Sequence, residues 1–118
     1  MAGNLDKGRA GELAAVKLLQ EKGHVILFEN YRWQHKEIDV ISQDGDVLVF
    51  TEVKTRTNFN YGYPEAAVDE RKQAHMKAAA EMFLLDHPQY QKLRFDTIGI
   101  LMHGNQVKEI VHWEAAFY

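Results

Sequence analysis

Cysteine is missing from all 118 residues and proline occurs only twice. Without a thiol, disulfides, thiolate metal sites and cysteine nucleophiles are excluded, and the lack fits a reducing compartment. Scarce proline beside eight glycines excludes collagen-like and proline-rich disordered chains. Apolar runs reach only four residues, as in Val47–Phe50 and Met82–Leu85, far short of a bilayer span. Near the start, Asp6, Lys7 and Arg9 interrupt any apolar stretch, so no secretory signal is expected and a cytoplasmic address is. The six histidines show no HExxH or paired spacing, which argues against zinc. There is no Walker-type or GxGxxG loop and no serine in a nucleophile-elbow setting.

What is present is an ordinary globular composition, 46% hydrophobic and 26% charged, long enough for one domain spanning 1–118. Lys and Arg number 14 against 17 Asp and Glu, a formal net charge of −3. That balance argues against a nucleic-acid partner, unless carboxylates hold divalent cations that each return two positive charges.

Periodicity and punctuation predict the order α-β-β-β-α-β-β. A helix over Arg9–Lys22 is stopped by Gly23, and a buried strand follows over His24–Arg32, with Val25, Ile26, Leu27 and Phe28. Glu37–Ser42 and Val47–Thr55 flank an Asp-Gly turn and read as a hairpin. A polar and aromatic loop, Thr55–Pro64, leads to a helix over Glu70–Asp86, with Asp69 as N-cap and Pro88 beyond its end. Arg94–Met102 and Val107–Trp113 form a second hairpin around His103-Gly104-Asn105-Gln106. Strands alternating with helices predict a mixed sheet flanked by helices.

The charges that break this pattern are the informative ones. On the first helix Glu12 heads the apolar stripe of Val16 and Leu19, although an acidic first turn also complements the helix dipole. In the first hairpin, a turn centred on Asp44-Gly45 sets Asp39 opposite Phe50 and Glu37 opposite Glu52. Glu37, Asp39, Glu52 and Lys54 then share a face with Ile41, Leu48 and Phe50, while Ile38, Val40, Val49 and Val53 take the other. Asp39 and Glu52 become diagonal neighbours at roughly 7–8 Å. Three carboxylates on a partly apolar face repel one another and are costly to bury without a counter-ion. Mg²⁺ or Mn²⁺ would neutralise them, and Lys54, returning to the same face, would orient water or stabilise charge on a phosphate.

The arrangement of Ile38-Asp39, a hairpin and Glu52-Val53-Lys54 resembles the PD-(D/E)xK nuclease signature. Together with Gly8-x-x-Gly11-Glu12, Glu37-Ile38-Asp39-Val40-Ile41, Phe50-Thr51-Glu52-Val53-Lys54-x-Arg56 and Arg94-Phe95-Asp96, it resembles the YraN family. That family is functionally uncharacterised and distantly similar to archaeal Holliday junction resolvases. The resemblance implies a restriction-endonuclease-like fold and a metal-dependent DNA endonuclease, a hydrolase acting on branched or single-stranded DNA among its substrates. It implies Asp39, Glu52 and the Val53 carbonyl as metal ligands, with Glu12 joining through metal or water, and Lys54 as the catalytic lysine. Ile38 stands where the signature has proline, and Lys36 where YraN-like sequences usually have glycine. A domain this small would cut one strand at a time, so paired cleavage calls for a homodimer.

Two substrate-binding features remain. Lys72 heads the stripe of Met76, Ala79 and Phe83, where it either reaches a substrate phosphate near the helix N-terminus or snorkels over the core edge. Arg56 opens a loop with Tyr61 and Tyr63 that either stacks unpaired bases or staples itself to the core. Besides the endonuclease, a nucleic-acid-binding module with weak or lost catalysis and a protein-interaction domain using the aromatic loop stay open.

Overall fold

The computed structural model describes residues 7–57 and 68–118; the expected contributions of Tyr61 and Tyr63 lie outside them. The elements follow the expected order: α1 (Lys7–Glu21), β1 (Val25–Trp33), β2 (Lys36–Asp44), β3 (Val47–Arg56), α2 (Glu70–Asp86), β4 (Lys92–His103) and β5 (Gln106–Phe117). One five-stranded sheet carries them in spatial order β1-β2-β3-β4-β5. Only β3 and β4 run parallel, and α2 makes the crossover between them. The other neighbours are antiparallel.

Each helix covers one face of the sheet. Ala15 and Leu19 of α1 pack on Val40, Ile98, Ile100 and Met102. On the opposite face Met76, Ala79, Ala80 and Phe83 of α2 pack on Ile41, Leu48, Phe50, Phe95 and Phe117. Phe83 and Phe50 meet edge to face at 6.1 Å, and Phe50 stacks on Phe95 at 5.5 Å. Each such side chain, fully buried, contributes about 1.5–3 kcal/mol of transfer free energy. The central strands β2, β3 and β4 are thus covered on both faces, while β1 and β5 are mostly exposed or half-buried.

Local signals set the boundaries. Gly23, at φ +92°, closes α1 in a Schellman arrangement: His24 N–H donates to the Leu19 carbonyl and Gly23 N–H to that of Gln20. Asp69 caps α2 by accepting from Lys72 N–H at 2.8 Å. Among the described residues no helix is long and apolar enough to cross a membrane.

Two expectations are corrected. In the β2–β3 hairpin Asp44 pairs with Val47, Ile41 with Phe50 and Val40 with Thr51, a shift of two residues from the expected register. The loop is Gly45-Asp46, because Gly45 adopts the positive φ (+62°) required at the first position of a II′-type turn. The even shift preserves the faces along the paired residues, and the ladder stops short of Asp39 and Glu52, so neither the opposed nor the diagonal pairing describes them. Secondly, β1 is not a buried strand: Val25 is 60% and Phe28 44% exposed. It lies at the sheet edge, with an irregularity between Ile26 and Phe28 that breaks its alternation.

Candidate metal centre

The regular ladder of β2 and β3 ends at Val40–Thr51, and the site begins there. Ile38 and Val40 would share a face in an unbroken strand. Instead Ile38 joins the α2-side core and Val40 the α1-side core, so the chain changes face around Asp39. This departs from the alternation expected for Ile38. With the ladder interrupted, Val53 N–H donates to Asp39 Oδ2 at 2.8 Å. The carboxylate thus holds the two strands together at their point of divergence.

α1 delivers Glu12 to the same point. Gly11 is buried against β3 so closely that a Cβ built there would lie 2.1 Å from Thr55 Oγ1. A side chain there requires Thr55 to turn its hydroxyl away or α1 to move off the sheet, and Glu12 with it. As placed, Glu12, Glu37 and Asp39 each bring one carboxylate oxygen within 4.8 Å of the others. Arg9 and Arg32 stand at the periphery, 3.5 Å from Glu12 and 3.4 Å from Glu37.

Glu52 faces the other side of this cluster, toward α2. Its Oε2 lies 3.4 Å from Lys72 Nζ, yet that oxygen is buried with no hydrogen-bond partner among the described residues. Glu52, Val53, Lys54, Thr55, Arg56, Val68, Asp69 and Lys72 line an open cleft of about 680 Å³. In that lining Lys54, Arg56 and Lys72 stand against Glu52 and Asp69, a slight cationic excess although the whole chain is acidic.

The electrostatics follow from burial. The Asp39 carboxyl is pushed up to about 7, first by its burial and then by the charge of Glu52, against the pull of Val53 N–H and Lys72. Burial likewise raises Glu52, with Lys72 and Lys54 opposing. Two adjacent acids that resist ionisation are a poor resting state for an apolar core and a good receptor for a cation. The all-oxygen donor set of Glu12, Glu37 and Asp39 fits a hard divalent ion such as Mg²⁺ or Mn²⁺. Among the described residues these are the carboxylates close enough to share one ion; Glu52, expected as a ligand, lies outside that group, and Glu37, not among the expected ligands, lies within it.

Glu12, Asp39, Glu52, Val53 and Lys54 therefore converge as residues of one neighbourhood, with Lys72 and Arg56 on the cleft wall. Lys72 contacts Glu52, an outcome neither of its two expected roles contained. Sequence reasoning missed a second polar centre. Fully buried Asp96 takes Arg94 Nε (2.8 Å), Arg94 Nη2 (3.0 Å) and Ala115 N–H (3.0 Å), and lies 2.8 Å from His112 Nε2. Burial works to raise its pKa, but the bonds from His112, Arg94 and Ala115 outweigh it and hold the carboxyl below its ordinary value. The available signal was the Arg94-Phe95-Asp96 run, which beyond its family resemblance sets an acid on the same strand face as an arginine two residues before it. This centre ties β4 to β5.

A five-stranded mixed sheet between two helices, in the order α-β-β-β-α-β-β and with acids where two strands diverge, defines the restriction-endonuclease-like class of α/β fold. The comparisons agree on a narrower group. Residues 11–100 match the model described as "Uncharacterised protein family UPF0102", and the chain belongs to that family, the YraN family. A UPF0102 protein of Dictyoglomus thermophilum is 38% identical over 112 residues, 94% of this chain and 93% of the relative. That of Natranaerobius thermophilus is 42% identical over 118 residues, covering 97% and 98%. That of Chlorobaculum parvum is 43% identical over 117 residues, covering 93% and 90%.

Proposed function

We propose that this protein is a metal-dependent endonuclease that hydrolyses phosphodiester bonds in DNA. The observation that carries the reading is the cluster of Glu12, Glu37 and Asp39, whose carboxylate oxygens lie within 4.8 Å of one another, with the Asp39 carboxyl raised to about 7, beside a cleft lined by Glu52, Lys54, Arg56 and Lys72. Glu12, Glu37 and Asp39 would hold the cation, joined by Glu52 and the Val53 carbonyl. When bound, a divalent ion supplies Lewis acidity toward a phosphodiester and lowers the pKa of water.

The chain's own residues do the remainder. Val53 N–H fixes the orientation of Asp39. Lys54, two residues from Glu52 on the same strand face, offers an ammonium that orients the attacking water or stabilises charge gathering on the phosphate. Arg56 and Lys72 contribute positive charge for the nucleic-acid backbone. Substrates with a single-stranded or branched segment suit an open cleft, and cutting both strands of a duplex requires two copies of the chain.

One observation favours a second reading. Glu52 already has an ammonium within 3.4 Å, so a binding module without catalysis would also be electrostatically satisfied. The deciding experiment is cleavage of linear, flapped, branched and single-stranded DNA in Mg²⁺ and in Mn²⁺. Cleavage abolished by Asp39→Asn, and reduced roughly 10²–10⁴-fold by Lys54→Met, supports the enzyme. DNA binding with no cleavage of any member, unchanged by metal and by Asp39→Ala, supports the module.

A further inference from the structure

Lys72 begins at the third residue of α2, where the Asp69 cap takes its backbone N–H at 2.8 Å. The cap fixes the origin of the side chain, and its Nζ ends 3.4 Å from Glu52 Oε2. At that separation the contact is a long one, and charge attraction is its larger part. Lys72 is 35% and Glu52 15% exposed at the side chain; the ammonium therefore sits at the cleft wall with room to leave, while the carboxylate does not.

A divalent cation on Glu52 and an ammonium against the same carboxylate repel each other. Lys72 and the metal are competitors for one group. A displaced Nζ stays in the cleft, beside Lys54 and Arg56, where a phosphodiester would lie. Resting on the metal-dependent reading above, we propose that Lys72 is an exchangeable counter-ion. It neutralises Glu52 in the metal-free protein and passes to the nucleic-acid backbone when metal loads. The coupling is reciprocal: each of metal and nucleic acid releases a partner the other needs, so each tightens the binding of the other.

Calorimetric titration of Mn²⁺ into the wild type, Lys72→Met and Lys72→Arg tests this. Lys72→Met should bind Mn²⁺ roughly 5-fold or more tightly than wild type, the lower end of usual coupling between sites. Lys72→Arg, which keeps the charge, should stay near wild type. Equal or weaker binding by Lys72→Met overturns the exchange while leaving the metal centre standing. Absence of saturable Mn²⁺ binding in all three chains overturns the centre itself and the exchange with it. On the unmutated protein, Mg²⁺ should shift the Lys72 side-chain resonances in an NMR spectrum, and resonances that stay in place would show that the contact persists and the exchange is wrong.

Discussion

With its carboxyl pushed up to about 7, Asp39 keeps a proton in the folded chain over a pH range where the unfolded chain has lost it. Stability from this residue is therefore greatest in acid and declines as pH rises from about 4 through 7. The effect is on the order of a few kcal/mol, since each tenfold change in an acidity constant is worth about 1.4 kcal/mol. Asp39→Asn should flatten that decline and stabilise the metal-free protein at pH 8, as urea unfolding at pH 5 and pH 8 would show. A decline of unchanged steepness in the mutant would place the titrating group elsewhere. Metal needs the carboxylate ionised, so Mn²⁺ should raise the melting temperature of the wild type more at pH 8 than at pH 5. Asp96 behaves oppositely, since its lowered pKa gives stability above the ordinary carboxylate range that is lost in stronger acid. Asp96→Ala leaves Arg94 and His112 without their buried partner and should cost about 3–5 kcal/mol. A loss under about 1 kcal/mol would contradict its role in joining β4 to β5. Of these two acids, Asp39 was legible because Glu37 lies two residues before it and an Asp-Gly turn folds both toward Glu52 and Lys54. The partners of Asp96 were not, because His112 and Ala115 come from a strand 16 and 19 residues away.

At the scale of the element, α1 works as a carrier for Glu12. Its distance from β3 is set by Gly11 against Thr55. Gly11→Ala should destabilise the protein by about 1–2 kcal/mol through overpacking. In a Thr55→Ala background the same change should be neutral or stabilising, because alanine is the better helix former by about 1 kcal/mol. A double-mutant cycle in denaturant measures this, and additive effects would deny the contact. The order of elements was readable from periodicity, Gly23, Asp69 and the two glycine turns, since those signals act within a few residues. The register was not. A two-residue hairpin loop admits Asp44-Gly45 or Gly45-Asp46, and only the backbone at Gly45 decides between them. The exposure of β1 was illegible for a related reason: Val25–Phe28 reads as a core strand, but its place at the sheet edge depends on every other strand.

Across the described residues, a helix covers each face of the central strands and the acids gather where β2 and β3 part. A chain with a net charge of −3 thereby acquires a local site whose sign a cation would reverse. The expectation that divalent cations held by carboxylates offset the acidic composition rests on that reversal, and it is open to direct observation. Crystals soaked in Mn²⁺ and measured for anomalous scattering would show the ion itself. The account predicts a peak at Asp39, among Glu12, Glu37 and Glu52, absent from Asp39→Asn crystals treated identically. Soaked wild-type crystals without density at this position, or a peak that survives Asp39→Asn, would contradict it.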